Sequence, residues 1–255
     1  MIKYISILII GFLYSIPCNA TPESAFPVKN QIKITETTPV TDTLFYKMKR
    51  ATNKENEVLL VLLHGYGSNE NDLLGLARFF PKNYTIISAR APFTLRNGAY
   101  QWYQSTSKGT NFGGKASDLS TSQELIQKLV QKTQQQFHIN ADHTFISGFS
   151  QGANMSYQMG LLYPKLCKGI GVFSGVLFNS EKEKVIKENN IAVAIFIGHG
   201  TADNRIPESS ATASNTWLTA HNFQTDFHTY EGMSHSISPK EMQDFIQFVS
   251  RNISN

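Results

Sequence analysis

The sequence predicts an α/β fold built on a mostly parallel β-sheet, and three observations carry this prediction. The first is a series of short, uninterrupted apolar runs, which are typical of strands buried on both faces of a parallel sheet. These runs are residues 58–63, 84–89, 144–148, 170–173 and 191–197. The second is a helical spacing of apolar residues between the runs. The third is that no internal repeat or change of composition divides the chain, so a single α/β domain is expected.

The remaining elements each have a local reason. Apolar residues recur every three or four positions before the third run, which predicts a helix with one apolar face. They are Leu125, Ile126, Leu129, Val130 and Phe137. Residues 223–230 alternate in polarity, which is typical of an outer strand. Ser238 and Glu241 form a capping box around Pro239, so the last helix is predicted to begin there.

Composition and charge exclude several classes of protein. Apolar residues make up 41% and charged residues 16% of the 255 positions. This balance excludes a disordered chain, a collagen-like repeat and a long coiled coil. The net charge of +4 is spread without a dense basic block. We therefore expect no nucleic-acid partner and no stable insertion into a membrane.

The first twenty residues have the order of a secretory signal peptide. Lys3 precedes an uncharged run, and small residues ending at Ala20 supply a cleavage site. The run is shorter than the roughly 20 apolar residues that a bilayer span needs. We expect residues 1–20 to be cleaved and the mature protein to be periplasmic or secreted. Lipid attachment through Cys18 is the alternative, but the proline directly before it is a poor match to a lipoprotein signal.

Two further segments follow from composition. Residues 21–40 are polar and contain three prolines, so they are predicted to form an N-terminal arm before a single domain over 41–255. Residues 90–118 are rich in aromatic residues and glycine and show no regular period. Long irregular loops are usually functional or disordered, and the aromatic content predicts a packed loop that covers part of the protein.

A candidate nucleophile lies in the sequence Gly148-Phe149-Ser150-Gln151-Gly152. A predicted strand runs into this motif and a predicted helix runs out of it, which is the context of the nucleophile elbow G-x-S-x-G. Small residues at both glycine positions let the turn close, and the turn lifts the serine hydroxyl over a helix N-terminus. Ser150 is therefore predicted to be a nucleophile. A glycine-rich turn in another doubly wound protein is the alternative.

A serine hydroxyl needs a base, and in this fold the chain order is serine, acid, histidine. His235 follows the last predicted strand, at the carboxyl edge of the sheet where ligands bind in open α/β folds. It is the predicted base. Asp203 follows the strand at 191–197 and is the predicted acid. Asp226 and Glu231 are rival acids, but neither has this position after a strand.

The sequence also supplies two backbone donors for an oxyanion hole. One is the amide of Gln151, directly after the nucleophile, and the other is the amide of Tyr66 in the loop after an early strand. Gly65 and Gly67 let that backbone approach a ligand closely. Glu70 stands where a dinucleotide fingerprint requires its third glycine. With no Walker A motif and no metal-ligand spacing of Cys or His, we expect no cofactor and no metal.

Together these motifs resemble the phospholipase/carboxylesterase family of small α/β-hydrolases, which includes the acyl-protein thioesterases. The resemblance covers residues 44–251. It is carried by residues 63–68, 101–103, 148–153, 199–207 and 232–235. It implies an α/β-hydrolase fold with helices on both faces of the sheet. It also implies that Ser150 is the nucleophile, Asp203 the acid and His235 the base, with the two amides above as the oxyanion hole.

The resemblance implies a serine esterase for carboxylic esters of short to medium acyl chain, with thioesters as a second class. The signal peptide and Tyr66, where leucine is frequent in the thioesterase branch, depart from the family pattern and favour a small exported ester. Trp102 and Tyr103 are predicted to wall the substrate pocket, with ordinary loop packing as the alternative. The rival functions are a polysaccharide-linked feruloyl or acetyl esterase, a polyester hydrolase, and a non-catalytic binding protein on the same scaffold.

Overall fold

An eight-stranded sheet forms the centre of this computed structural model, which describes residues 34–36, 43–109, 111–187 and 193–253. The strands are β1 (Ile34–Glu36), β2 (Tyr46–Lys49), β3 (Val58–Leu63), β4 (Tyr84–Ala89), β5 (Phe93–Arg96), β6 (Ala99–Gln101), β7 (Thr144–Phe149), β8 (Gly169–Phe173), β9 (Ala194–Gly200) and β10 (Thr225–Tyr230). β5 and β6 form a separate antiparallel hairpin, and the other eight run in the order β1-β2-β4-β3-β7-β8-β9-β10.

The sheet is mostly parallel, as the apolar runs predict. Along the order β4-β3-β7-β8-β9-β10, each strand pairs in parallel with the next. Within this sheet, the pairs β1–β2 and β2–β4 are antiparallel. Pairing places Phe149 beside Phe173, and Phe173 beside Gly198, so β7, β8 and β9 end at one edge. The segments that follow these three strands therefore meet at that edge.

Helices cover both faces of the sheet, which confirms the predicted architecture. They are α1 (Ala116–Phe137), α2 (Gln151–Leu162), α3 (Asn179–Lys187), α4 (Glu208–Ala220) and α5 (Pro239–Ile253), with short 3₁₀ helices at Leu73–Phe79 and Ala141–His143. β3 shows why its apolar run is continuous. Leu59, Val61 and Leu63 join the core beneath α1, α2 and α4, while Val58 and Leu60 join the core beneath α5.

The capping box predicted for the last helix is present. The Glu241 amide donates to Ser238 Oγ at 3.1 Å, and the Ser238 amide donates to a Glu241 carboxyl oxygen at 3.3 Å. The two bonds satisfy donors that the first turn of α5 leaves free. α5 therefore begins at Pro239, directly after the loop that carries His235.

The segment 90–118 is more regular than its sequence predicts. It contains the β5–β6 hairpin, further antiparallel bridges between Ser105 and Gly114 and between Lys108 and Asn111, and the start of α1 at Ala116. The prediction of an irregular loop is wrong for the hairpin. β5 and β6 have only four and three residues, and β5 is largely exposed, so the pair leaves no clear alternation in the sequence.

The amino-terminal predictions fall mainly outside the described residues. The predicted signal peptide, residues 1–20, lies wholly outside them, as does most of the predicted arm. The exception is 34–36, which pairs with β2 as the edge strand β1. None of the helices in the described ranges combines the length and hydrophobicity that a membrane span requires.

Candidate active site

Ser150 occupies the sharp turn between β7 and α2. Its backbone has φ 54° and ψ −114°, a conformation that a non-glycine residue adopts only when its surroundings impose it. The Ser150 amide donates to the Phe173 carbonyl of β8 at 2.9 Å, which ties the turn to the neighbouring strand. The turn therefore presents the serine side chain at the edge where β7, β8 and β9 end.

Two glycines make the turn possible by allowing backbones to touch. A Cβ at Gly148 would overlap the backbone of Gly152, and a Cβ at Gly152 would overlap the carbonyl of Leu63 at the end of β3. Neither conflict could be relieved by rotating a side chain, because both involve the main chain. The predicted requirement for small residues on both sides of Ser150 is confirmed.

The structure brings the three predicted triad residues into one hydrogen-bonded line. His235 Nε2 lies 2.9 Å from Ser150 Oγ, and His235 Nδ1 lies 2.6 Å from Asp203 Oδ2. Asp203 accepts through its carboxylate, so Nδ1 carries the proton and the Nε2 lone pair faces the serine hydroxyl. The ring of Phe149 packs against the His235 ring, with 4.8 Å between centroids. The rival acid Asp226 instead contacts His228 and Arg251.

Asp203 is held in its ionised form by its hydrogen bonds. Burial raises the pKa of its carboxyl, but the Ile206 amide, the His235 ring and the Arg205 amide together hold that pKa below its ordinary value. The amides of Arg205 and Ile206 donate to Oδ1 at 2.9 and 3.0 Å, which leaves Oδ2 for the histidine. Asp203 is therefore fixed in orientation and charged at neutral pH.

His199 is a neighbour of the site that sequence reasoning did not single out. It is fully buried in β9, its Nε2 donates to the Ile206 carbonyl at 2.9 Å, and the same atom lies 3.4 Å from Asp203 Oδ2. The position of this histidine four residues before Asp203 is the signal that could have identified it. Through these contacts His199 connects β9 to the turn that contains Asp203 and Ile206.

The loop after β3 lies directly beside the Ser150 turn. A Cβ built on Gly65 would lie 3.6 Å from Ser150 Cβ, so the backbone passes the serine in close contact. The Ala91 amide donates to His64 Nε2 at 3.0 Å, which leaves His64 Nδ1–H to donate to the Gly65 carbonyl at 2.8 Å. Fixing that carbonyl also fixes the direction of the next amide, that of Tyr66. The Tyr66 side chain itself is 62% exposed.

The amides of Tyr66 and Gln151 are available for a ligand. Within the ranges that the structure covers, neither N–H has a hydrogen-bond acceptor. The Gln151 amide is in the first turn of α2, where the helix dipole favours negative charge. Free backbone amides close to a reacting serine can stabilise an oxyanion.

Trp102 and Tyr103 are core residues of the site's supporting structure. Trp102 has no exposed surface and Tyr103 is 3% exposed, so these two rings offer no exposed aromatic platform. The Trp102 indole N–H donates to the His64 carbonyl at 2.8 Å, and Asn154 Nδ2 donates to the Tyr103 hydroxyl at 2.8 Å. These contacts fit the loop-packing interpretation. Direct contact with substrate stays a prediction.

The Gln151 side chain has a role that the motif alone does not reveal. Its Oε1 accepts from the Trp102 amide at 2.7 Å, and its Nε2 donates to the Tyr103 carbonyl at 2.9 Å. The same chain segment also contacts the loop that carries Tyr66, because the Gly67 amide donates to the Tyr100 carbonyl at 2.9 Å. Residues 100–103 thus form a strut that contacts both the Gln151 side chain and the loop after β3.

No metal site accompanies this arrangement in the part of the chain that the structure covers, where no three His, Cys, Asp or Glu side chains cluster to hold an ion. The site presents a hydroxyl, an imidazole, a carboxylate and two backbone amides.

The sheet order, the strained serine turn and the helices on both faces define an α/β-hydrolase. The chain belongs to the phospholipase/carboxylesterase family, whose sequence model matches residues 48–253. The protein is thus a carboxylic ester hydrolase of the serine esterase type.

Curated relatives and solved structures agree with this placement. Acyl-protein thioesterase 1 of Eremothecium gossypii is 27% identical over 205 residues, covering 76% of this chain and 87% of that protein. A probable carboxylesterase of Oryza sativa subsp. japonica is 33% identical over 116 residues, covering 45% and 44%. The crystal structure of esterase PE8 matches with a TM-score of 0.72 and 26% identity, covering 82% of this chain and 99% of that one. A carboxylesterase of Bacillus cereus, with a TM-score of 0.68, 18% identity, and coverage of 83% and 96%, shows the fold alone.

Proposed function

We propose that this protein is an exported serine carboxylesterase that hydrolyses short- to medium-chain carboxylic esters through a Ser150–His235–Asp203 triad. The observation that carries the proposal is the position of His235, with Nε2 2.9 Å from Ser150 Oγ and Nδ1 2.6 Å from Asp203 Oδ2. Thioesters belong to the same proposal, since an acyl-protein thioesterase is among the relatives. Export is supported by the signal-like sequence of residues 1–20.

Acylation begins when Ser150 Oγ attacks the ester carbonyl carbon and His235 Nε2 takes the hydroxyl proton. The carbonyl oxygen becomes an oxyanion, which the amides of Tyr66 and Gln151 stabilise. His235 then returns the proton to the leaving alcohol as the carbon–oxygen bond breaks. Asp203 keeps the imidazole in the required tautomer and stabilises its charged form.

Deacylation repeats these steps with water as the nucleophile. His235 takes a proton from the water molecule, hydroxide adds to the acyl carbon, and Ser150 leaves with the proton returned by the histidine. The products are the free carboxylic acid and the regenerated enzyme.

The proposal is tested by the hydrolysis of 4-nitrophenyl butyrate by the purified protein and by Ser150→Ala. The wild type should turn over the ester, and the variant should lose at least about 10³-fold in kcat, because residual catalysis would come from binding and the oxyanion hole alone. Thermal unfolding checks that the variant remains folded. Turnover by folded Ser150→Ala near the wild-type rate would refute the assignment of the nucleophile.

A further inference from the structure

A buried ion pair joins the loop after β3 to the chain beyond β4, and the triad does not use it. Arg90 Nε and Nη2 donate to the two carboxyl oxygens of Glu70, each at 2.6 Å. The Glu70 side chain is 2% exposed, whereas that of Arg90 is 31% exposed. Burial raises the pKa of the Glu70 carboxyl, but hydrogen bonds, first those from Arg90, outweigh burial and hold that pKa below its ordinary value. The carboxylate is therefore charged and held by a two-pronged contact, which a planar guanidinium can make and an ammonium group cannot.

The guanidinium group of Arg90 also contacts two aromatic rings. Its Cζ is 4.2 Å from the centroid of the Phe45 ring and 4.7 Å from the centroid of the Tyr100 ring. The Arg90 amide donates to the Phe45 carbonyl at 2.8 Å, so both main chain and side chain tie Arg90 to the segment before β2. Arg90 therefore contacts Tyr100, a residue of the strut, with the same group that binds Glu70.

Tyr100 is hydrogen-bonded to the loop that contains Glu70. The Gly67 amide donates to the Tyr100 carbonyl at 2.9 Å, and the Tyr100 amide donates to the Ser68 carbonyl at 2.9 Å. Arg90 thus contacts both sides of this junction, the loop through Glu70 and β6 through the Tyr100 ring. Both backbone bonds are made by loop residues that directly follow the proposed oxyanion donor.

The protein contains a matched pair at the opposite edge of the sheet. Arg50 Nη1 lies 3.3 Å from Glu57 Oε1, and Arg50 Cζ lies 3.7 Å from the centroid of the Phe137 ring. The Arg50 side chain is 32% exposed, close to the value for Arg90. Glu57 directly precedes β3, whereas the loop of Glu70 follows it, so the two pairs lie at opposite ends of one strand. The Arg50 pair therefore has similar chemistry without a position beside the site.

We propose that Arg90 and Glu70 are positioning residues for the oxyanion hole, because their pair fixes the loop that carries the Tyr66 amide. The inference rests on the proposed function and deepens it. In this role neither side chain contacts the substrate. The pair sets the position of an amide that stabilises negative charge developed in the transition state. Loss of the pair should therefore lower kcat and leave KM almost unchanged.

Four single variants test the proposal with 4-nitrophenyl butyrate as the substrate. Arg90→Lys keeps the positive charge but loses the two-pronged bond, and Glu70→Gln keeps the shape but loses the negative charge. Arg50→Lys and Glu57→Gln make the same changes at the opposite edge of the sheet. Urea unfolding of all four variants separates a loss of stability from a loss of rate.

Arg90→Lys and Glu70→Gln should each lower kcat about 10- to 100-fold and change KM less than twofold. The variants of Arg50 and Glu57 should keep kcat within twofold of the wild type, even where their unfolding midpoints fall as far. The double variant Arg90→Lys/Glu70→Gln should lose no more than the larger single loss, because both changes break the same pair.

A transition-state analogue gives a second readout, which partial unfolding does not imitate. Ser150 Oγ adds to the carbonyl carbon of 1,1,1-trifluorohexan-2-one while His235 takes the hydroxyl proton, and the ketone oxygen becomes an oxyanion. The inhibition constant of this ketone should rise in Arg90→Lys by about the factor by which kcat/KM falls. It should not change in Arg50→Lys. Unfolding lowers the number of active sites and not their affinity for the ketone.

Equal losses of kcat in the Arg90 and Arg50 variants would overturn the proposal, since the effect would then be one of general stability. A kcat within twofold of the wild type in both Arg90→Lys and Glu70→Gln would overturn it too. So would a ketone inhibition constant that stays at the wild-type value in Arg90→Lys. The proposed function fails differently, by absence of turnover of 4-nitrophenyl butyrate by the wild type.

Discussion

The two halves of the site are held in place by different forces. The Ser150 turn is fixed by backbone packing, because Gly148 and Gly152 bring main-chain atoms into direct contact. His235 sits on a loop and is fixed by polar contacts, through Asp203 and the amides that hold that carboxylate. Added side-chain volume should therefore disrupt the position of Ser150, whereas the position of His235 should depend on the charge of Asp203.

The largest loss of activity should come from removing the charge of Asp203, the polar contact that fixes His235. Asp203→Asn keeps the shape but removes the carboxylate that fixes the His235 tautomer, so kcat for 4-nitrophenyl butyrate should fall by about 10⁴. The control is Asp142→Asn, an exposed aspartate of a short 3₁₀ helix, which should change nothing. A loss below tenfold in Asp203→Asn would mean that the carboxylate does not orient the base.

Adding volume to the steric half should destabilise the protein. Gly152→Ala places a methyl group against the Leu63 carbonyl and should cost about 3 kcal/mol of unfolding free energy, measured by urea denaturation. Gly75→Ala is the matched control, because its added Cβ would meet nothing within 4 Å. Equal stability of the two variants would contradict the idea that main-chain contact shapes the elbow.

Removing the Gln151 side chain, which contacts the strut at residues 100–103, should lower the rate by a smaller factor. Gln151→Ala keeps the backbone amide but leaves the Trp102 amide and the Tyr103 carbonyl without their partner. We expect kcat to fall about 10- to 100-fold with little change in KM, since an oxyanion is stabilised only in the transition state. Gln135→Ala, at an exposed position of α1, serves as the control. A rise in KM alone would point to a substrate contact in place of a positioning role.

The smallest effect is a pH dependence of stability, and it comes from Glu241 in α5, the helix that follows the His235 loop. Burial raises the pKa of Glu241, at the start of α5, to about 8. Between its ordinary pKa and about pH 8 the unfolded chain loses this proton while the folded protein keeps it, so stability falls as pH rises through that window. Glu241→Gln removes this penalty.

The gain from Glu241→Gln should be near zero at pH 4 and about 1–2 kcal/mol at pH 9, measured by thermal or urea unfolding. Glu124→Gln, at an exposed site on α1, should show no such pH-dependent gain. A constant difference between Glu241→Gln and the wild type across this range would show that the buried carboxyl does not titrate as described.

Much of the fold could be predicted because burial on two faces leaves a strong pattern. β3 and β4 match their predicted bounds, and β7 and β8 differ from theirs by one residue. The β5–β6 hairpin was missed because strands of three or four residues are too short to show a clear alternation. β1 was missed because a strand of three residues carries no pattern of its own, and its place depends on pairing with β2, from Ile34 with Lys49 to Glu36 with Lys47.

The site was predictable where its chemistry depends on local sequence. Ser150 stands in a motif that requires glycines on both sides, and Asp203 and His235 follow strands. Contacts made across the fold left no such signal. The hydrogen bond from the Trp102 amide to the Gln151 side chain joins residues 49 positions apart.

The central claim is that Ser150 is a nucleophile activated by His235, and fluorophosphonate labelling tests it most directly. Purified wild type and Ser150→Ala are incubated with the reagent, and their intact masses are compared. We expect one adduct on the wild type and none on the variant, because only an activated serine reacts with such a reagent at an appreciable rate. An unlabelled, correctly folded wild type, or a variant labelled as fully as the wild type, would contradict the account.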